Sequence, residues 1–182
     1  MRLLLLSIVV NISCIACAPL DLERNVKDQH DAESLIDQGV LMMRAGRLDE
    51  ARAAFGVSFE LNPSAAAIDG LGCVAFRAHR FEEAERYFKM AIEQDPEYSE
   101  AYGNLALLVE YGGQKTEAQR LYKEALARKP KNFRARNNLG VLLEGLGERA
   151  LGRDELLKAA ALTDDNLVRD NLKRIGSGAK QE

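Results

Sequence analysis

Residues 99–132 read SEAYGNLALLVEYGGQKTEAQRLYKEALARKPKN and describe one complete structural unit. Apolar side chains recur at the three- and four-residue spacing of a helix face in both halves of this stretch. The first stripe contains Tyr102, Leu105, Ala106 and Val109, and the second contains Ala118, Leu121, Tyr122 and Ala125. Gly112 and Gly113 separate the stripes, because glycine tolerates the left-handed backbone that ends a helix. Pro130 ends the second stripe, since proline lacks an amide donor. The stretch therefore predicts two helices joined by a tight turn.

The same unit recurs along the chain. Pro63, Pro96 and Pro130 close successive units at spacings of 33 and 34 residues, and Asp164 continues the series. Upstream, a small residue and a large apolar residue keep the same register in every unit. The small residues are Ala51, Ala84, Ala118 and Gly152, and the large residues are Phe55, Phe88, Tyr122 and Leu156. Each helix pair leaves an apolar face that only its neighbour can cover, so the repeat predicts an all-α stack without a single globular core.

From Ala32 to Asn166 this pattern resembles the tetratricopeptide repeat. The most family-like residues are Leu71-Gly72, Phe81, Ala84, Phe88, Ala91, Pro96 and Asn138-Leu139-Gly140. The resemblance implies a right-handed superhelical solenoid of antiparallel helix pairs. We expect four units, a capping helix and a flexible tail, at residues 32–64, 65–98, 99–132, 133–165, 166–175 and 176–182. The terminal units depart from the pattern, as terminal units of a solenoid do.

The N-terminal segment has the layout of a secretory signal peptide. Arg2 precedes an apolar run that is too short to span a bilayer, and small residues follow. Ile15-Ala16-Cys17 resembles the end of a bacterial lipobox, although Cys14 occupies the position where that motif usually has Leu. We expect lipidation at Cys17, with plain cleavage after Ala16 or Ala18 as the alternative. Residues 18–31 are polar, with little periodicity, and are expected to tether the repeats to the N-terminus.

This N-terminus predicts an outer-membrane lipoprotein that faces the periplasm and meets the membrane through its N-terminal lipid. The residue after Cys17 is Ala18, whereas an Asp would resemble an inner-membrane retention signal. The alternative is a secreted or soluble periplasmic protein.

Composition and motifs exclude several classes of function. The 182 residues carry 25 Lys and Arg against 28 Asp and Glu, which speaks against nucleic acid as a partner. The chain has no phosphate-binding loop, no zinc-protease motif and no nucleophile elbow, so we expect no catalytic residue, no metal and no cofactor. His79 falls in the turn register of Gly46, Gly113 and Gly147, so a role in a turn is favoured over a role as ligand.

The resemblance implies that the first helix of each unit lines a concave groove that binds peptides or helices. The expected groove residues are Ile36, Val40, Met43, Asp69, Cys73, Phe76, Arg77, Leu107, Glu110, Tyr111, Asn137, Val141 and Glu144. Packing between helices remains an equal alternative for Val40, Cys73, Leu107 and Val141. Repeat proteins that clamp acidic chaperone C-termini use Lys, Asn and Arg at set groove positions. Those positions hold Ile36, Val40, Gly70, Glu100 and Asn104 here, so that clamp is not built.

The chain therefore resembles the small tetratricopeptide lipoproteins that help assemble type IV or tight-adherence pili and secretion channels. The implied function is a non-catalytic adaptor that binds a protein partner in its groove. One alternative is an adaptor for peptidoglycan enzymes or for outer-membrane assembly. An alternative of another class is the accessory subunit of a secreted enzyme. The sequence does not determine the oligomeric state.

Overall fold

The computed structural model describes the backbone of residues 18–178 and the side chains of residues 26–175. Within this range the protein consists of nine α-helices and has no β-strand. The helices are α1 (Ala18–Arg44), α2 (Leu48–Leu61), α3 (Ala65–Arg77), α4 (Phe81–Gln94), α5 (Ser99–Tyr111), α6 (Lys115–Arg128), α7 (Phe133–Gly145), α8 (Arg149–Ala160) and α9 (Asn166–Gly178). Four of them begin at Ala65, Ser99, Phe133 and Asn166, the residues with which successive sequence units begin.

The helices pack as consecutive antiparallel pairs, α1 with α2, α3 with α4, α5 with α6 and α7 with α8. Each pair contacts the next pair, and α9 packs on α8. The odd-numbered helices also touch one another in series, so they form one continuous face of the stack. This arrangement confirms the predicted all-α superhelical solenoid, in which the apolar face of each unit is covered by its neighbour.

The turn inside each unit uses left-handed backbone at one residue. Gly46, Gly113 and Gly147 have φ angles of 76°, 80° and 86°, and His79 has a φ angle of 57°. His79 is the non-glycine residue with positive φ in the described part of the chain. The predicted turn role of His79 is therefore confirmed.

In the first, second and fourth units, a large side chain of the second helix fills the space beside a glycine of the first helix. Phe55, Phe88, Tyr122 and Leu156 are at most 1% exposed. A Cβ atom added to Gly72 would lie 2.6 Å from the Phe88 ring, which shows how closely the two helices approach. Gly39, Gly72 and Gly140 stand at these positions because the contact leaves no room for a side chain.

Two buried hydroxyl groups join paired helices in opposite directions. Ser58 Oγ of α2 donates a 2.8 Å hydrogen bond to the carbonyl oxygen of Ala32 in α1. Ser99 Oγ of α5 donates a 2.8 Å hydrogen bond to the carbonyl oxygen of Ala125 in α6. The donor therefore lies on the second helix in the first unit and on the first helix in the third unit. Both hydroxyls have a partner although they are at most 2% exposed.

The ends of the chain differ in backbone from a simple tether and tail. The predicted tether, 18–31, has helical backbone and continues into the first unit as part of α1. It lacks Gly, and its proline, Pro19, lies in the first turn, where no intrahelical amide bond is lost. Helix α9 continues to Gly178, three residues into the predicted tail. Cys17 and the rest of residues 1–17 lie outside the described residues, as do residues 179–182.

Candidate peptide-binding groove

The face formed by α1, α3, α5, α7 and α9 contains a concave cavity of about 620 Å³, which we call the groove. Eight of the predicted residues line it: Ile36, Val40, Met43, Asp69, Cys73, Arg77, Leu107 and Asn137. Together with Val168 of α9, they bring side chains from five helices into one cavity, although no two of these helices are adjacent along the chain.

Apolar side chains of α1 and α5 form part of the groove. Ile36, Val40 and Met43 are half-buried, because they also pack against the cluster around Phe55. Leu107 of α5 is 37% exposed, so part of its apolar surface is free to contact a guest side chain. Ile36, Val40 and Met43 therefore pack in the core and line the groove at once.

Phe76 and Tyr111 lie elsewhere. Their rings form an aromatic cluster with Phe81, with ring centroids 5.8 Å apart for Phe76–Phe81 and 4.9 Å apart for Phe81–Tyr111. Phe76 and Tyr111 also meet edge to face, with centroids 6.0 Å apart. The cluster lies beside the turn of the second unit, where His79 contacts Phe81. The sequence register did not reveal it, since Phe81 belongs to the following helix and was assigned to the repeat pattern.

Glu110, Val141 and Glu144 line a second crevice of about 370 Å³. Glu110 accepts a 2.8 Å hydrogen bond from the hydroxyl of Tyr122, and Glu144 forms a 2.9 Å ion pair with Arg174 of α9. These two acidic side chains therefore help to hold the helices together.

Asp69 lies in the floor of the groove, 6% exposed. Nδ2 of Asn104 lies 2.9 Å from each carboxylate oxygen and 3.3 Å from Sγ of Cys73. Burial raises the pKa of Asp69 to about 7, the hydrogen bond from Asn104 opposes this rise, and the charge of Glu100 adds to it. Burial, with the charge of Asp69, also raises the pKa of the Cys73 thiol, which is therefore held in its unreactive protonated form.

Asp69 and Asn104 begin a line of polar side chains along the first helices, and asparagines of the last units continue it. Nδ2 of Asn171 in α9 donates a 3.0 Å hydrogen bond to Oδ1 of Asn137 in α7, much as Asn104 of α5 donates to Asp69 of α3. Asn137 in turn donates to Asn138 at 3.1 Å. Gly103 takes the position of Asp69 and Asn137 in α5, so the line has no polar side chain at that position. In the sequence this signal is visible as the repeated pairs Asn104-Leu105, Asn138-Leu139 and Asn171-Leu172.

The groove also has residues that the sequence analysis did not select. Arg134 and Phe133 of α7 line it, with the guanidinium of Arg134 5.0 Å from the centre of the Phe133 ring. Arg77, which the sequence analysis did select, also lines it, and its guanidinium donates a 2.7 Å hydrogen bond to the carbonyl oxygen of Met43. Glu100 forms a 2.6 Å ion pair with Lys129. The rim therefore carries both signs of charge around an apolar centre.

No helix among the described residues has both the length and the apolar character needed to cross a membrane. The same residues hold no cluster of three or more metal-ligating His, Cys, Asp and Glu side chains.

Comparison with known proteins finds the same repeat. Models of the tetratricopeptide repeat match residues 65–98 and 106–166, together more than half of the chain. Cellulose synthase operon protein C of Komagataeibacter xylinus is 42% identical over 79 residues, a match that covers 41% of this chain. This chain spans only 6% of the length of that relative. No catalytic family is indicated by these matches.

Two solved structures share the fold. The thermophilic repeat protein TTC0263 of Thermus thermophilus is 23% identical with a TM-score of 0.71, and the match covers 81% of this chain and 82% of that one. PilF of Pseudomonas aeruginosa is 18% identical with a TM-score of 0.71, and the match covers 85% of this chain and 72% of that one.

Proposed function

Because this chain belongs to the tetratricopeptide repeat family, we propose that it is a non-catalytic scaffold that binds a peptide or helix of a partner protein in its groove. The observation that supports this function is the groove of about 620 Å³, which runs across the repeats and has an apolar centre and a charged rim. Cavities of this size with few convergent polar groups are typical binding sites.

The test of groove binding is a charge placed at its centre. Leu107→Glu should reduce capture of the native partner by at least roughly tenfold, because burial of a leucine contributes about 1.5–3 kcal/mol. The far-UV circular dichroism spectrum should stay unchanged, since Leu107 is 37% exposed. The matched control is Leu157→Glu on α8, which alters a leucine that is 49% exposed and does not line the groove. Equal capture by both variants would place the binding surface elsewhere.

We further propose that the protein works in the bacterial envelope, as an outer-membrane lipoprotein that aids assembly of a pilus or secretion complex. The support is the N-terminal sequence, with its apolar run and its lipobox-like Ile15-Ala16-Cys17. Cys17→Ser should abolish metabolic labelling with fatty acid and release the protein from the membrane fraction, whereas Cys73→Ser should change neither. Unchanged labelling and fractionation of Cys17→Ser would contradict the anchor.

A second candidate is a scaffold in a cellulose synthase assembly, favoured by the 42% identity to the Komagataeibacter xylinus protein. Crosslinking from the native envelope with a photoreactive residue at position 107, followed by mass spectrometry, separates these candidates. A pilus or secretion component supports the first and a cellulose synthase component the second. A peptidoglycan enzyme, an outer-membrane assembly factor or a secreted enzyme would instead point to one of the alternatives from the sequence.

A further inference from the structure

The floor of the groove contains a carboxylate whose hydrogen-bonding capacity is largely unused. An ionised carboxylate offers about four acceptor sites on two oxygens. Among the described side chains, one nitrogen, Nδ2 of Asn104, supplies both contacts to Asp69. Asp69 is buried, with 6% of its surface exposed. Among the described residues, no cation lies within 4.0 Å of its carboxylate to form an ion pair. A charge buried in this way is costly unless a cation compensates it.

The charged groups around Asp69 do not supply that compensation. Glu100 of α5 adds negative charge, and Cys73 on the same helix as Asp69 and Tyr98 beside α5 hold their protons, since burial raises the pKa of both. The positive charge of Arg134 in α7 lowers the pKa of Cys73 and of Tyr98, against the effect of burial. Its guanidinium lies over the ring of Phe133. The guanidinium of Arg77 is engaged in a hydrogen bond to the carbonyl oxygen of Met43.

We propose that Asp69 is the receptor for a lysine or arginine side chain of the partner protein, which enters the groove between apolar residues that contact Val40 and Leu107. This proposal rests on the proposed function and specifies the chemistry of the guest. Charge complementarity identifies the guest: Asp69 is an acidic group in the floor, and the apolar side chains of Val40 and Leu107 line the same groove. The guest cation supplies the missing partner, and the hydrogen bond from Asn104 keeps the carboxylate oriented.

The protonation of Asp69 makes this recognition dependent on pH. Its pKa lies near 7, so the carboxyl group is mostly neutral at pH 5 and mostly ionised at pH 8. A guest cation binds the ionised form, and binding at pH 5 must therefore release a proton. The affinity for a basic peptide should rise from pH 5 to pH 8 by up to about 90-fold. Lysine and arginine keep their charge over this whole interval.

The experiment is a selection of random 12-residue peptides against the full chain at pH 8, followed by affinity measurements on the enriched peptides. The full chain with Asp69→Asn, which keeps the side-chain shape and removes the charge, is measured in parallel. We expect enrichment of Lys or Arg flanked by aliphatic residues. Asp69→Asn should lower the affinity for these peptides by roughly tenfold or more at pH 8, and the affinity should no longer depend on pH. Replacing the basic residue of one peptide by norleucine should have the same effect on the wild-type chain and none on Asp69→Asn.

Leu107→Glu separates the two levels of the argument. Suppose that the enriched peptides no longer bind Leu107→Glu. If they also lack a basic residue, or bind Asp69→Asn as tightly as wild type, the role of Asp69 is refuted and groove binding stands. If no peptide is enriched, or all bind Leu107→Glu as tightly as wild type, groove binding and the role of Asp69 are both refuted. Circular dichroism of each variant verifies that the repeats remain folded.

Discussion

Replacing Asp69 by Asn should stabilise the folded chain at pH 8, although the residue lies in the groove. The pKa of Asp69 is about 7 in the folded chain and 3.8 for an ordinary aspartate. Between these values the folded state holds a proton that the unfolded state has released, so the stability of the wild type falls as pH rises from about 4 to about 7. The penalty is absent below about pH 3.8 and complete above about pH 7.

The size of this effect follows from the two pKa values. A difference of about three pKa units corresponds to about 4 kcal/mol at pH 8, as an upper bound, and to about 1.7 kcal/mol at pH 5. The advantage of Asp69→Asn over wild type should therefore grow by about 2–3 kcal/mol between pH 5 and pH 8. This growth is independent of any constant difference between the two side chains, since such a difference is the same at both pH values.

Urea denaturation followed by circular dichroism at 222 nm measures this difference at both pH values. The matched control is Glu93→Gln on α4, which removes an exposed carboxylate that does not line the groove. If the advantage of Asp69→Asn is the same at pH 5 and pH 8, Asp69 is not held in an unfavourable ionised state, and the reasoning fails.

Three further predictions concern the repeat stack. Gly70→Ala should be less stable than Gly103→Ala by about 1–3 kcal/mol, because the new Cβ would overlap the Phe55 ring in the first case and lie 3.7 Å from its nearest neighbour in the second; equal unfolding midpoints would mean that the ring moves aside freely. Ser58→Ala should lower the free energy of unfolding by about 1 kcal/mol, since it removes the buried hydrogen bond to α1; an unchanged urea midpoint would contradict this. His79→Gly should raise the melting temperature by a few degrees, because glycine adopts positive φ without strain; a lower melting temperature would show that the His79 ring contributes more than its backbone costs.

The repeat spacing was sufficient to predict the fold, because each unit repeats the same physical problem. Phe88 needs a small partner on the preceding helix, and Gly72 provides it. The turn needs left-handed backbone, and Gly113 or His79 adopts it. These requirements are local in sequence, so they leave a periodic signal that one chain displays several times.

The groove was predicted in part, since its floor depends on the angle between successive units. Asp69 and Asn104 are 35 residues apart, and their contact exists only because α3 and α5 lie side by side. Phe76 and Tyr111 share the groove register, yet both turn towards Phe81 and pack together. Register gives the helix face on which a side chain lies, but the choice between two neighbouring contacts is made by tertiary packing.

The placement of the groove across successive units has a mechanical consequence. A solenoid in which each unit touches only its neighbours can bend and twist at the contacts between units. A guest that contacts Val40, Asp69 and Leu107 at once spans α1, α3 and α5, which belong to three different units. Such a guest holds the three units in one relative orientation. The scaffold is then stiffer with its partner bound than without it.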